Sequence, residues 1–231
     1  MAIRSLRGVA IHVVHEPERL AGGWLNRFAS EGGHIALSGG TTVGKAYRAA
    51  TDLQQEWSGA HAWFGDERAV PADDERSNFL LATDTLFDRL RVLPEIHRVE
   101  GELGAEEAAR LYDAELAGVA LDFALNGIGA DGHTASLFPN APALDERERR
   151  AVAAEAGLEP FVDRVTLTPP VFAQAQLVAY LVTGEAKAEA VRRAFAEEPS
   201  AATPASLIRG RETIAILDDG AASLLPGFSN S

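Results

Sequence analysis

The sequence contains no cysteine, and that absence removes disulfides, thiolate metal sites and cysteine nucleophiles together. Any chemistry must come from His, carboxylates, Lys, Arg or hydroxyls. No apolar run approaches the roughly 20 residues needed to cross a bilayer. The start, Met1 to Arg7, is too short and too broken for a secretion signal, so a cytoplasmic location is expected. Positive charge is scarce: 21 Lys and Arg against 34 Asp and Glu leave a formal net charge of −13. That charge repels nucleic acid and anionic lipid, and neither nucleic acid nor membrane is expected as a partner. It also repels a phosphorylated small molecule. A phosphate pocket would have to be made locally, from loop N–H groups, a helix N-terminus and a few cations such as Arg68, Arg164 and Lys187.

What is present is ordinary in bulk and distinctive in detail. At 231 residues, 46% hydrophobic and 24% charged, the chain can bury a substantial core, and one domain over residues 1–231 is expected. Apolar runs of strand length occur at Gly8 to Val14, His34 to Leu37, His61 to Phe64, Leu121 to Leu125, Gln176 to Val182 and Glu212 to Leu217. Between them, Pro17 to Ser30, Gly44 to Trp57, Ser77 to Leu90, Ala105 to Ala117 and Glu185 to Ala196 carry helical spacing. This alternation predicts an α/β fold, a mainly parallel, doubly wound Rossmann-like sheet with helices on both faces. The mixed charges of Asn140 to Gly157 read as a solvated loop or short helix, and Pro226 to Ser231 as a fraying tail.

Three motifs follow strands, where such folds bind ligands. Gly127-Ile128-Gly129-Ala130-Asp131-Gly132-His133 combines glycines, which let a ligand approach main-chain N–H groups, with a carboxylate and an imidazole. It also fits the dinucleotide pattern Gly-x-Gly-x-x-Gly. Pro139 and Pro142 soon interrupt any helix, however, and Asp131 would meet a pyrophosphate with like charge. Ser38-Gly39-Gly40-Thr41-Thr42 suits a phosphate: paired glycines, hydroxyls and a helix to follow. Its continuation to Lys45 matches a nucleotide phosphate loop in spacing, but Ala46 lacks the hydroxyl that would hold Mg²⁺. The third motif, Asp66-Glu67-Arg68, is either an exposed charged turn or a substrate-facing cation with flanking carboxylates. Of six histidines, His12, His15, His34, His61 and His97 receive no role, and no metal-ligand spacing is evident. Ser136 reads as structural, since no Gly-x-Ser-x-Gly elbow surrounds it.

In this order the motifs resemble those of the 6-phosphogluconolactonases: the loop from Leu37 to Thr42, Phe64 to Pro71 followed by Ser77-Asn78, Leu125 to Pro139, Arg164 to Thr168, Gly184 with Lys187, and Pro204-Ala205-Ser206. One departure is Thr41-Thr42-Val43, where the family often has Ser, Thr and Pro; it bears on loop rigidity more than on chemistry. The resemblance implies hydrolysis of a phosphorylated sugar lactone without metal or organic cofactor, by a monomer or small homo-oligomer. It implies His133 as general base, its tautomer held by Asp131, or else by Asp66 or Glu67. Arg68 and loop N–H groups at Gly127 and Gly129 would face developing negative charge. Ser38, Gly39, Gly40, Thr41, Thr42 and Lys187 would hold the phosphate, with Asp66 and Arg164 alongside. The nearest rival is glucosamine-6-phosphate deaminase, which would carry an acidic residue soon after the histidine and an aromatic in place of Arg68. A non-catalytic sugar-phosphate sensor would need a DNA-binding segment and a basic face that this acidic sequence lacks.

Overall fold

The computed structural model describes residues 2–157, 159 and 161–228. A hairpin opens the chain, β1 (Ala2–Leu6) and β2 (Val9–Val13) turning through Arg7 and Gly8, both at positive φ. Then come α1 (Pro17–Ser30), β3 (His34–Leu37), α2 (Thr41–Leu53), β4 (His61–Phe64), β5 (Asp66–Arg68) and α3 (Asn78–Thr85). They are followed by β6 (Glu95–Ile96), α4 (Ala105–Glu115), β7 (Phe123–Asn126), β8 (Ala151–Ala154), β9 (Arg164–Leu167) and α5 (Pro169–Gln174). β10 (Leu177–Val182), α6 (Ala188–Phe195), β11 (Glu212–Leu217) and α7 (Asp219–Ala222) complete it.

Eight strands form one sheet in the order β1-β2-β11-β10-β7-β3-β4-β6, parallel except for β1, and helices flank it. β7 and β10 are buried at every position, as strands covered on both faces must be. From β3 the chain winds outward to β4, and from β7 it winds the other way to β10. The β3–β7 boundary is therefore the topological switch point, and the loops leaving these two strands diverge to open a crevice. Two buried tyrosines pin its rim. Tyr47 Oη donates to Ser38 O at 2.7 Å and accepts from Ser38 N at 2.9 Å; Tyr112 Oη does the same for Phe64 at 3.1 and 2.7 Å.

Some local expectations are corrected. The segment read as a solvated loop or short helix holds a 3₁₀ turn at Pro142–Asp145 and then β8. Ala151-Val152-Ala153-Ala154 has little strand propensity of its own, and pairing with β9 imposes the conformation. β5, β9 and β8 make a second, antiparallel sheet. The helix expected to reach Leu90 ends at Thr85, where Thr83 and Thr85 turn their hydroxyls onto the carbonyls of Phe79 and Leu81; a 3₁₀ turn, Phe87–Arg89, follows. α2 starts three residues before its expected Gly44 and stops before Trp57. Of the tail expected to fray, Phe228 packs against the core under Arg4, and residues 229–231 lie outside the described residues.

Candidate active site

The crevice encloses about 430 Å³ and is lined by most of the residues singled out from sequence: Ser38 to Thr42, Asp66, Arg68, Gly127, Gly129, His133, Arg164 and Lys187. Glu67 does not line it, and Asp131 stands behind the imidazole instead. Its Oδ1 lies 2.6 Å from His133 Nδ1 and also accepts from His133 N at 3.1 Å. Burial would raise the Asp131 carboxyl, but the imidazole hydrogen bond and charge outweigh it and hold the group below its ordinary value.

The loop is shaped around this pair. A Cβ on Gly129 would sit 2.1 Å from His133 Nδ1 and 2.5 Å from Asp131 Oδ1, so only glycine leaves room. Gly132 takes φ +97 and donates to Gly129 O, while Gly129 N donates to His133 O. Thr134 Oγ1 ties the loop back to Gly127 O. From outside, Ala205 N donates to Gly132 O, which explains why Pro204-Ala205-Ser206 belongs to the motif set: it buttresses the loop.

At the other end, Ser38-Gly39-Gly40 leads directly into α2. Gly40 has φ +106, and Thr41, Thr42 and Val43, the residues of the first helical turn, whose N–H groups have no partner within the helix, line the crevice. Gly39 is needed for a different reason, since a Cβ there would lie 1.9 Å from Asn78 Oδ1. Lys187 approaches from the 3₁₀ turn Glu185–Lys187, whose preceding Gly184 N donates to both oxygens of Asp218 at 2.9 and 3.0 Å. Three buried polar atoms of lining residues, Ser38 Oγ, Arg68 Nε and Asn78 Oδ1, have no partner among the described residues. An unpaired buried group costs about 1–3 kcal/mol; an anionic oxygen would satisfy the first two, and a hydroxyl donor the third.

The segment Asp66 to Arg68, read either as an exposed charged turn or as a substrate-facing cation with flanking carboxylates, is strand β5, and its three side chains separate in role. Glu67 is 2% exposed and turns away from the crevice to the start of α3, accepting from the N–H groups of Asn78 and Phe79 at 2.7 Å and from Ser77 Oγ at 3.1 Å. Burial pushes its carboxyl above the ordinary range, against the pull of those backbone donors. Asp66 accepts from Ser136 Oγ at 2.7 Å and from Asn78 Nδ2 at 3.3 Å. Neither carboxylate is bonded to His133. Arg68 donates to the carbonyl of Arg76 and pairs in register with Arg164 on β9. Arg164 is 4% exposed; burial and then the Arg68 charge pull its guanidinium below the ordinary value, and Asp66 and Glu67 oppose them. Ser136 and Asn78, given no role from sequence, are thus the partners that fix Asp66, and a carboxylate in one motif facing a hydroxyl in another was the available signal.

A helix N-terminus that faces a histidine–carboxylate pair across a topological switch point is an arrangement suited to an α/β enzyme acting on a phosphorylated small molecule. The chain belongs to the family described as glucosamine-6-phosphate isomerases/6-phosphogluconolactonase, which it matches over residues 25–216. It is 38% identical over 216 residues to the 6-phosphogluconolactonase of Mycobacterium leprae (strain TN), covering 86% of this chain and 87% of that one. Its structure is similar to that of the 6-phosphogluconolactonase from Trypanosoma cruzi, with a TM-score of 0.80 at 26% identity over 98% of this chain and 100% of the other. A monomeric glucosamine-6-phosphate deaminase superposes equally well, at 0.81 but 20% identity, covering 94% of this chain and 99% of that one. Overall fold therefore does not separate the two chemistries, and the site must.

Proposed function

We propose that this chain hydrolyses 6-phospho-D-glucono-1,5-lactone to 6-phosphogluconate in the oxidative pentose phosphate pathway, in the cytoplasm and without metal or organic cofactor. Residues 1–231 act as one domain, as a monomer or small homo-oligomer. Among the described residues, no helix is long and apolar enough to cross a membrane. The observation that carries the reading is the Asp131–His133 contact of 2.6 Å in the crevice that the N-terminus of α2 also enters.

With Nδ1 engaged by the Asp131 carboxylate, the imidazole presents its Nε2 lone pair. Nε2 takes a proton from water as the water oxygen bonds to the lactone carbonyl carbon. Arg68, supported by Arg164, and the N–H groups of Gly127 and Ile128 stabilise the tetrahedral oxyanion, while the Gly129 N–H, expected there from sequence, is taken by His133 O. The carbon–ring-oxygen bond then breaks, and the imidazolium returns its proton to the departing oxygen. Ser38 to Thr42, the α2 dipole and Lys187 hold the phosphate at the far end. The stretch Thr134 to Pro139 offers no acidic residue for amino-sugar ring opening, and Arg68 stands where the deaminase pattern has an aromatic.

The test is to follow acid release from freshly made lactone beside ammonia release from glucosamine 6-phosphate. Acid release above the no-enzyme rate with no ammonia is expected. Ammonia at a comparable rate would reassign the chain to the deaminases.

A further inference from the structure

Three of the histidines left without a role gather at the other end of the sheet. His61 opens β4 and Glu95 opens β6, the two being register partners, and His97 follows β6 with its N–H on Ala62 O. Because β4 runs parallel to β3 and β7, its first residue lies at the end of the sheet away from the crevice. Here His61 Nδ1 is 3.1 Å from His97 Nε2 and 3.5 Å from Glu95 Oε2, while His97 Nε2 is 3.8 Å from Glu95 Oε1.

We propose that His61, Glu95 and His97 form a binding site for a divalent transition ion, zinc by preference, clamping β4 and β6 to α4. Zinc bound tetrahedrally at about 2.0–2.1 Å requires donors about 3.3–3.4 Å apart, and the observed spacings bracket that value. Two imidazoles and one carboxylate are the ligands of an open zinc site, with the fourth position left to water. Calcium and magnesium, which prefer oxygen donors, do not suit the set.

The surroundings prepare the ligands in the way a metal site requires. His97 Nδ1 lies 2.6 Å from Glu115 Oε1 at the end of α4, so Glu115 fixes the tautomer that offers Nε2 to an ion. The Trp63 ring stacks on His97 with centroids 3.8 Å apart and planes 3° from parallel; His34 stacks on His61 at 4.3 Å and 10°. His34 is itself held by Trp63 Nε1, which donates to its Nδ1 at 2.9 Å. Both ligating rings therefore sit in fixed planes. The His97 side chain is 12% exposed and that of Glu95 66%, so the donors sit at a mouth that an ion can enter. Among the described residues this is the one group of three His or carboxylate side chains so close together. Sequence spacing could not show it, because His61 and His97 are 36 positions apart and meet only through strand pairing.

The test is calorimetric titration of zinc chloride into the full chain after chelator treatment, with cobalt absorption as a readout of tetrahedral geometry. The expected result is one ion per chain at micromolar affinity or tighter, with a tetrahedral cobalt band. At a hundredfold excess over Kd the thermal midpoint should rise by about 5–10 °C. His97→Ala should abolish binding. Should that variant not fold, Glu95→Gln, which alters an exposed side chain, should also lower affinity. Glu115→Gln, which touches no ion, should weaken binding about 10–100-fold, while His133→Asn should leave it intact. Zinc affinity unchanged in Glu95→Gln and Glu115→Gln, loss of binding in His133→Asn alone, or no binding at micromolar zinc would overturn the proposal.

Discussion

The Asp131 carboxylate lies 2.6 Å from Nδ1 of His133, two residues further along the same loop, and the side chains of both are between a quarter and a third exposed. The pair is thus made locally, by one glycine-rich turn, while the groups proposed to hold the phosphate arrive from distant strands. Chemistry and anchoring can therefore be perturbed separately.

Asp131→Asn keeps the size of the side chain but loses the charge that holds the imidazole. A fall in kcat of up to about 10⁴-fold is expected, the cost of replacing the carboxylate that orients a general-base histidine by its amide, with KM little changed. A pH signature accompanies it. The Asp131 carboxyl is held below its ordinary value of about 3.9. Its contribution to stability is therefore fully present above that value and is lost as pH falls through the lowered one. Urea unfolding of parent and variant should differ at neutral and mildly acid pH and converge below about pH 4; convergence already near neutrality would contradict the pairing.

Gly129→Ala tests the same pair sterically. Gly129 has no positive φ, so alanine meets no backbone strain, and the whole effect comes from a Cβ that would overlap His133 Nδ1 and Asp131 Oδ1. A displacement of about 1 Å at a reacting group costs on the order of 10²-fold. A loss of kcat of that size is expected, with the circular dichroism spectrum preserved. Parental kcat would show that the pair is not used in the geometry seen.

Ser136→Ala distinguishes a positioning hydroxyl from a nucleophile. Its Oγ donates to Asp66, 8% exposed, and the loss leaves Asp66 with Asn78 as its remaining side-chain donor among the described residues. Stability should fall by about 1–3 kcal/mol, seen as a lower denaturation midpoint, while kcat stays within about tenfold of the parent. Complete loss of turnover in the folded variant, a drop beyond the roughly 10⁴-fold typical of losing one catalytic group, would instead make Ser136 a nucleophile.

Lys187→Ala and Arg68→Ala should separate anchoring from chemistry. Phosphate binding is the same in ground and transition states, so Lys187→Ala should mainly raise KM. Arg68→Ala should also lower kcat, because oxyanion charge appears only during reaction. Small and equal effects in steady-state kinetics would reduce both to peripheral charges.

The parallel sheet was legible because strands buried on both faces are written as mainly apolar runs, unbroken in β10 and closed by Asn126 in β7, and the motifs sat where those runs ended. The small sheet was not legible. Its strand β5 is Asp66-Glu67-Arg68, three charged residues whose conformation comes from pairing with β9 and whose Glu67 serves the helix beside it. For the same reason sequence left Asp131, Asp66 and Glu67 equal as partners of the imidazole. Only folding shows that Glu67 faces α3 and Asp66 faces Ser136. The His61–His97 contact depends on strand register in the same way, and no local pattern announces it.

The most direct measurement is kcat for acid release from the lactone by His133→Asn, corrected for spontaneous opening and made on protein whose thermal transition shows it folded. Asparagine can hydrogen-bond but cannot accept a proton near neutral pH. The corrected rate should fall by about 10²–10⁴-fold, the range for loss of a general base, with KM nearly unchanged. A folded variant that keeps more than about a tenth of the parental rate would contradict His133 as the base, given that expected range.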